Sequence, residues 1–235
     1  MAFQLPHSAG EIISYLEMCQ SWSASFQRGM YFHLRPNISV LLMSRRSNAP
    51  YRDHVEDDGR VLIYEGHDVS KTASTPEPKA LDQPRATLSG KLTQNGLFER
   101  AAMKTKSGHS SAELVAVYEK IHAGIWAFNG FFCLADSWQV SDGRRTVFKF
   151  RLELAEGSEL EENPSGLLPN TRIIPSIVKQ EVWKRDAGKC VICGAIDNLH
   201  FDHDIPFSKG GSSLVAHNIR LLCARHNLEK SDKIQ

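Results

Sequence analysis

The sequence predicts an α+β protein in two parts. The larger N-terminal part is built on a curved or closed sheet with flanking helices, and the small C-terminal part on two strands and a helix. Three observations carry this expectation. "TVFKFRLEL" (146–154) alternates cleanly, with Phe148, Phe150, Leu152 and Leu154 on one face and Lys149, Arg151 and Glu153 on the other. Three of the five cysteines, Cys190, Cys193 and Cys223, fall in the last 46 residues, a clustering that fits metal binding better than disulfides. Between these regions "AEGSELEENPSGLLPN" (155–170) is acidic, holds Pro and Gly and lacks periodicity, as a linker does. The expected organisation is 1–155, a linker over 156–172, and 173–235.

Taken in order, Ser8-Ala9-Gly10-Glu11 has the form of a capping box, and Ile12, Ile13, Leu16 and Cys19 follow at helical spacing. An opening amphipathic helix is expected there. "ISVLLMS" (38–44) and "RVLIYEG" (60–66) are β-rich runs bounded by Asn, Pro and Gly. "HDVSKTASTPEPKALDQPRAT" (67–87) is a long polar loop, a length that usually serves function. "LTQNGLFERAAM" reads as a helix, and "WAFNGFFCLADSWQV" as an aromatic strand pair or a strand with a bend. In the C-terminal part "NLHFDHDIPFSKGGS" reads as a hairpin with a Gly-Gly turn and "ARHNLEKSDK" as a short helix.

Composition is that of an ordinary soluble globular chain of 235 residues with net charge +1. The balance is uneven: residues 171–235 hold 10 Lys/Arg against 7 Asp/Glu, and residues 1–170 hold 18 against 20. The N-terminus lacks a basic segment followed by an apolar run, and no stretch reaches the ~18 apolar residues of a membrane span, so a cytoplasmic location is the default expectation. Cys19 and Cys133 lie in apolar surroundings and are expected to act as small hydrophobes.

The chemistry concentrates at the C-terminus. Cys190-x2-Cys193 and Cys223-x2-His226 form two knuckles 29 residues apart, a soft donor set of three sulfurs and one nitrogen suited to a structural Zn²⁺ with all four positions filled by protein. Asp202 and His203 follow the first knuckle, Asn218 precedes the second, and Asn227 follows the last ligand. This spacing resembles the HNH endonuclease family over about residues 179–233. It departs from that family's common Cys-x-x-Cys second knuckle at His226. The resemblance implies His203 as general base, Asn218 as the residue orienting it, and Asp202 with Asn227 as oxygen ligands of a catalytic Mg²⁺ or Mn²⁺. Lys209, Arg220 and Lys230 are candidates for phosphate contact, with solvated surface cations as the equal alternative. His200, Asp204 and His217 are nearby residues without an assigned task, and His217 is the runner-up base.

Three segments of the N-terminal part, "PYRDHVEDDGRVLIYEGHD", "KLTQNGLFERAA" and "AFNGFFCLADSW", resemble in order the SRA (SET and RING associated, or YDG) domain, over about residues 35–155. The implied fold is an SRA/PUA-like β-barrel, and the implied ligand a 5-methylcytosine-type base flipped out of double-stranded DNA into an aromatic pocket. Trp126, Phe128, Asn129 and Trp138 are the expected pocket residues; at least three of the five aromatics over 126–138 are expected in the core. Asn129 stands where that family carries Asp, and an amide offers the base a different hydrogen-bond pattern. Asp53, Glu56, Asp57 and Asp58 read as a solvated acidic turn. Together these resemblances imply a modification-dependent restriction endonuclease, acting as a homodimer or as two molecules meeting on DNA, since one HNH site cuts one strand. The alternatives are an HNH nuclease or nickase for unmodified DNA, and a methyl-DNA-binding protein whose nuclease is silent.

Overall fold

The computed structural model describes residues 7–35, 38–45, 49, 51–155, 173–205, 211–213 and 215–230. The whole of the expected linker, 156–172, and Lys209 lie outside the described residues. The strands are β1 (Ile12–Ser14), β2 (Met30–Arg35), β3 (Ile38–Met43), β4 (His54–Glu56), β5 (Val61–Glu65), β6 (Leu114–His122), β7 (Ile125–Ser141), β8 (Thr146–Leu154), β9 (Leu199–His203) and β10 (Ile219–Cys223). The helices are α1 (Tyr15–Trp22), α2 (Gln94–Lys106), α3 (Ser176–Arg185) and α4 (Ala224–Lys230).

The first eight strands form one mixed sheet in the order β2-β3-β6-β7-β8-β5-β4, with β1 pairing to β7 off this path. Among the described strands only β3 and β6 pair in parallel. The pairing path is open, with β2 and β4 at its ends, where the sequence suggested a barrel. Both faces are covered, which is why β3 reads as a nearly continuous apolar run. Leu41 and Met43 face a core with Val117, Phe150 and Phe98 of α2. Ile38 and Val40 face the opposite core with Met18 and Trp22 of α1. β8 follows its alternation, with Phe148, Phe150 and Leu152 buried. The aromatic segment is one 17-residue strand, and shifts in its pairing with β6 and β8 supply its bend.

The opening helix starts later than the sequence suggests. Ser8 and Glu11 do make capping-type contacts, from Ser8 N to Glu11 Oε2 at 2.8 Å. However, Ile12 and Ile13 are buried in a strand, and the helix begins behind a second box formed by Ser14 and Glu17. Burial against β7 overrides the helical spacing of those β-branched residues.

The C-terminal part packs directly onto this sheet. Antiparallel β9 and β10 form a two-stranded sheet. Their apolar faces share a core with Val178 and Val182 of α3 and with Ile12, Ile121 and Ala127 of the large sheet. β9 and β10 pair as the two arms of the expected hairpin, with Ile219 opposite His203; Gly210 of the expected Gly-Gly turn lies outside the described residues.

Candidate functional site

The four expected zinc ligands converge. The donor atoms of Cys190, Cys193, Cys223 and His226 all lie within 4.8 Å of one another. Cys193 Sγ and Cys223 Sγ are 3.8 Å apart, and His226 Nδ1 is 3.3 Å from Cys190 Sγ and 3.4 Å from Cys223 Sγ. A zinc–sulfur bond of about 2.3 Å in a tetrahedron requires sulfur–sulfur edges of about 3.8 Å, so the spacing fits a bound Zn²⁺. Burial disfavours the Cys190 thiolate, but backbone amides from the two knuckles bring its pKa down to about 6, as a metal-binding sulfur needs. The cluster clasps the end of β10 and the start of α4 to the 190–193 turn.

His203 ends β9, beside Asp202 and opposite Ile219. Its Nε2 is 2.7 Å from the hydroxyl of Ser213, a buried residue that sequence spacing does not single out. When Nε2 carries the proton and donates to Ser213, Nδ1 is left as the proton acceptor. Burial lowers the His203 pKa, keeping the ring neutral near pH 7. Among the described residues no hydrogen bond joins Asn218 to the His203 ring. Its Oδ1 accepts from Ile205 N at 2.8 Å, and its Nδ2 donates to Ile205 O at 3.1 Å and Ser212 O at 3.0 Å. Its side chain therefore ties Ile205 to the residue beside Ser213, and its backbone O accepts from Asp204 N, next to His203, at 2.7 Å. Gly211 packs against the same residue: a Cβ there would overlap the Ile205 carbonyl.

Two of the three candidate phosphate contacts have carboxylate partners in the structure. Lys230 is buried, with Nζ 2.6 Å from Asp202 Oδ2 and bonded to the His203 carbonyl. Arg220 is ion-paired to Asp204 across the two-stranded sheet. Both cations are thus paired with partly exposed carboxylates of the C-terminal part. Asp202 and Asn227 remain half-buried, and their oxygens suit a hard divalent cation.

In the N-terminal part a cavity of about 1150 Å³ opens between residues 26–29, the end of β3, the 67–93 loop and the start of α2. Of the expected pocket residues only Trp126 borders it. Phe128 is fully buried between Tyr118 and Phe131. Trp138 is 40% exposed near the far end of β7. Asn129 is buried at the contact with the C-terminal part: its Oδ1 accepts from Lys179 Nζ at 2.5 Å and its Nδ2 donates to Glu119 Oε2 at 3.2 Å. Trp126, Phe128 and Phe131 pack in one core and Phe132 in the opposite one, so most aromatics of β7 fill the two cores.

The cavity wall is instead made by Tyr51, Asp53, His67 and Asp68. The rings of Tyr51 and His67 stack at 5.1 Å and 10°, and Lys79 Nζ lies 4.3 Å over the Tyr51 ring. Tyr64 Oη is 3.0 Å from His67 Nε2. Burial lowers the His67 pKa to about 4, so the ring is neutral. Burial also raises Asp53 to about 7, although its Oδ1 accepts from Glu65 N at 2.9 Å. Asp53 is therefore a half-buried carboxyl poised near neutrality and not part of a solvated turn. Asn95, 1% exposed, holds His67 by both backbone groups, accepting from its N and donating to its O at 2.8 Å each. The readable signal for this wall was a His-Asp pair directly after the fully buried β5.

No family model and no curated protein matches the chain. Among solved structures, the SUVH5 SRA domain in complex with hemimethylated CG DNA is similar over 71% of this chain and 98% of its own, at 19% identity and a TM-score of 0.46. Its complex with methylated CHH DNA gives 72% and 98%, at 18% identity and 0.47. A modification-dependent TagI restriction endonuclease is similar over 97% of this chain and 79% of its own, at 15% identity and 0.44.

Proposed function

We propose that the protein is a DNA endonuclease directed by a modified cytosine, with the base bound in the N-terminal cavity and a phosphodiester hydrolysed at His203. The observation that carries this reading is the C-terminal arrangement. A neutral His with one ring nitrogen fixed by Ser213 adjoins the carboxylate of Asp202, on a strand clamped by a complete zinc-type cluster. The spacing of Asp202, His203, Asn218 and Asn227, which resembles the HNH family, supports it.

His203 Nδ1 accepts a proton from water as the water oxygen bonds to phosphorus. The bond from phosphorus to the 3′ oxygen breaks, and protonation of that oxygen leaves 3′-hydroxyl and 5′-phosphate ends. Asp202 and Asn227 would hold Mg²⁺ or Mn²⁺, which when bound supplies positive charge to the phosphorane and the leaving oxygen. In the cavity, the Asp53 carboxylate can accept from the cytosine N4 amine, while the aromatic rings offer stacking surface.

Cleavage of plasmid carrying 5-methylcytosine, with Mg²⁺ or Mn²⁺, tests the reading. Selective cutting of methylated plasmid that His203→Ala abolishes is expected; equal cutting of unmodified plasmid would remove the modified base from it. The Lys230 ammonium on Asp202 favours a second reading, a binding protein with a silent nuclease. Tight binding of methylated duplex without cleavage in any divalent metal would select that one.

A further inference from the structure

The short segment before α1 joins the two sheets. On one side Gly10 N donates to Phe128 O and Phe128 N donates to Glu11 O, both at 2.8 Å. On the other side Phe201 N donates to Gly10 O at 3.0 Å, and Glu11 bridges to His200. At these two residues the large sheet and the two-stranded sheet become one hydrogen-bonded ladder. The path runs from Trp126 at the cavity rim, along β7 to Phe128, across Gly10 to Phe201, and along β9 to His203.

Gly10 has φ +85°, and a Cβ on it would lie 2.8 Å from the Phe201 carbonyl oxygen, so this crossing admits only glycine. Two further ties flank it. Ile173 N donates to Gly59 O at 3.1 Å, and Gly59, at φ +89°, has no room for a Cβ against Ile173. Lys179 of α3 is paired with Glu119 of β6 at 2.7 Å. Beneath the ladder lies the shared apolar core that includes Ile12, Ala127, Phe201 and Leu221.

We infer that residues 8–14 are a rigid coupler and Gly10 a positioning residue. They hold His203 at one fixed place relative to the cavity, so the cut falls at a constant offset from the recognised base. The offset rests on the proposed function; the coupling does not.

The test introduces a specific protease site between residues 156 and 172 of the full chain. After cutting, the two pieces should co-elute at the size of the intact protein in ~0.15 M salt, where long-range charge effects are screened. Gly10→Ala should weaken their association about tenfold or more, since it forces a Cβ into a left-handed backbone against a carbonyl. Lys179→Met, which leaves the ladder untouched, provides a second way of loosening the contact. On duplex with a single 5-methylcytosine the intact protein should cut at one phosphate, and Gly10→Ala should spread or lose the cut with binding of that duplex retained. Separation of the wild-type pieces would overturn the coupling. Co-elution with wild-type cuts scattered over many phosphates would overturn the positioning role. Co-elution without cleavage of any DNA would sink the nuclease reading and the offset with it, while upholding the coupling.

Discussion

Lys179→Met isolates the buried ion pair. Lys179 and Glu119 side chains are 2% and 1% exposed, and Nζ lies 2.7 Å from Glu119 Oε2. Glu119 Oε1 has no hydrogen-bond partner among the described residues, so the carboxylate depends on Lys179 and on one amide bond from Asn129. Burial alone would raise its pKa; the Lys179 charge and hydrogen bond, joined by Ser176 and Asn129, together outweigh burial and hold it below the ordinary carboxyl value. Removing the ammonium leaves a buried charge without its counter-ion, which costs about 3–5 kcal/mol. For a chain of this size that corresponds to a melting temperature lower by roughly 6–20 °C. Urea titration and calorimetry measure both. Since the folded pKa of Glu119 is lowered, the pair's stabilisation is present above the ordinary carboxyl range and is lost as pH falls through the folded value; Lys179→Met should lose that acid-dependent component. Replacing Glu119 by Met as well should recover at least half the loss, because two apolar side chains demand no solvation. A single-variant loss below about 1 kcal/mol would refute the reasoning.

Metal analysis should find one zinc per chain, and Cys223→Ser should lose it, lower the melting temperature and speed amide exchange in β9 and β10. His203→Ala should lower cleavage about 10²–10⁴-fold, as loss of a general base does, with Ser213→Ala a smaller loss at unchanged duplex affinity. Wild-type affinity for 5-methylcytosine duplex should rise as pH passes upward through about 7 and Asp53 ionises, whereas Asp53→Asn should bind more weakly and without that dependence. The same raised carboxyl makes the fold lose stability as pH rises from 3.8 towards 7; a titration curve unchanged in Asp53→Asn would count against it.

What could be read from sequence depended on whether a residue's role is set locally. The alternation of β8, the helix in "LTQNGLFERAAM" and the spacing of the two knuckles are short-range properties, and the structure has all three. The cavity was not readable in this way, because its wall joins Tyr51, His67 and the 67–93 loop by tertiary packing. Asn129 misled for the same reason. Its neighbours along β7 suggest a pocket, but its partner Lys179 lies 50 residues away on α3. Lys230 was placed correctly on the face of a short helix, yet helical spacing cannot reveal that this face is buried against Asp202.

The two asparagines at the sites explain why part of a functional pattern can be legible while its geometry is not. Asn95 accepts from the N–H and donates to the C=O of one residue, His67; Asn218 does the same to Ile205. A primary amide matches this pair of backbone groups as another strand would, so each loop gains a ladder rung where no strand can reach. Aspartate could accept the N–H but would set a carboxylate against the carbonyl oxygen, and alanine would leave both buried groups unpaired. Asn95→Asp and Asn218→Asp should therefore each cost at least as much stability as the Ala variants. Asn95 variants should weaken duplex binding and spare cleavage chemistry, and Asn218 variants the reverse. Asp variants as stable as wild type would mean that these side chains face the ligands and not the loops.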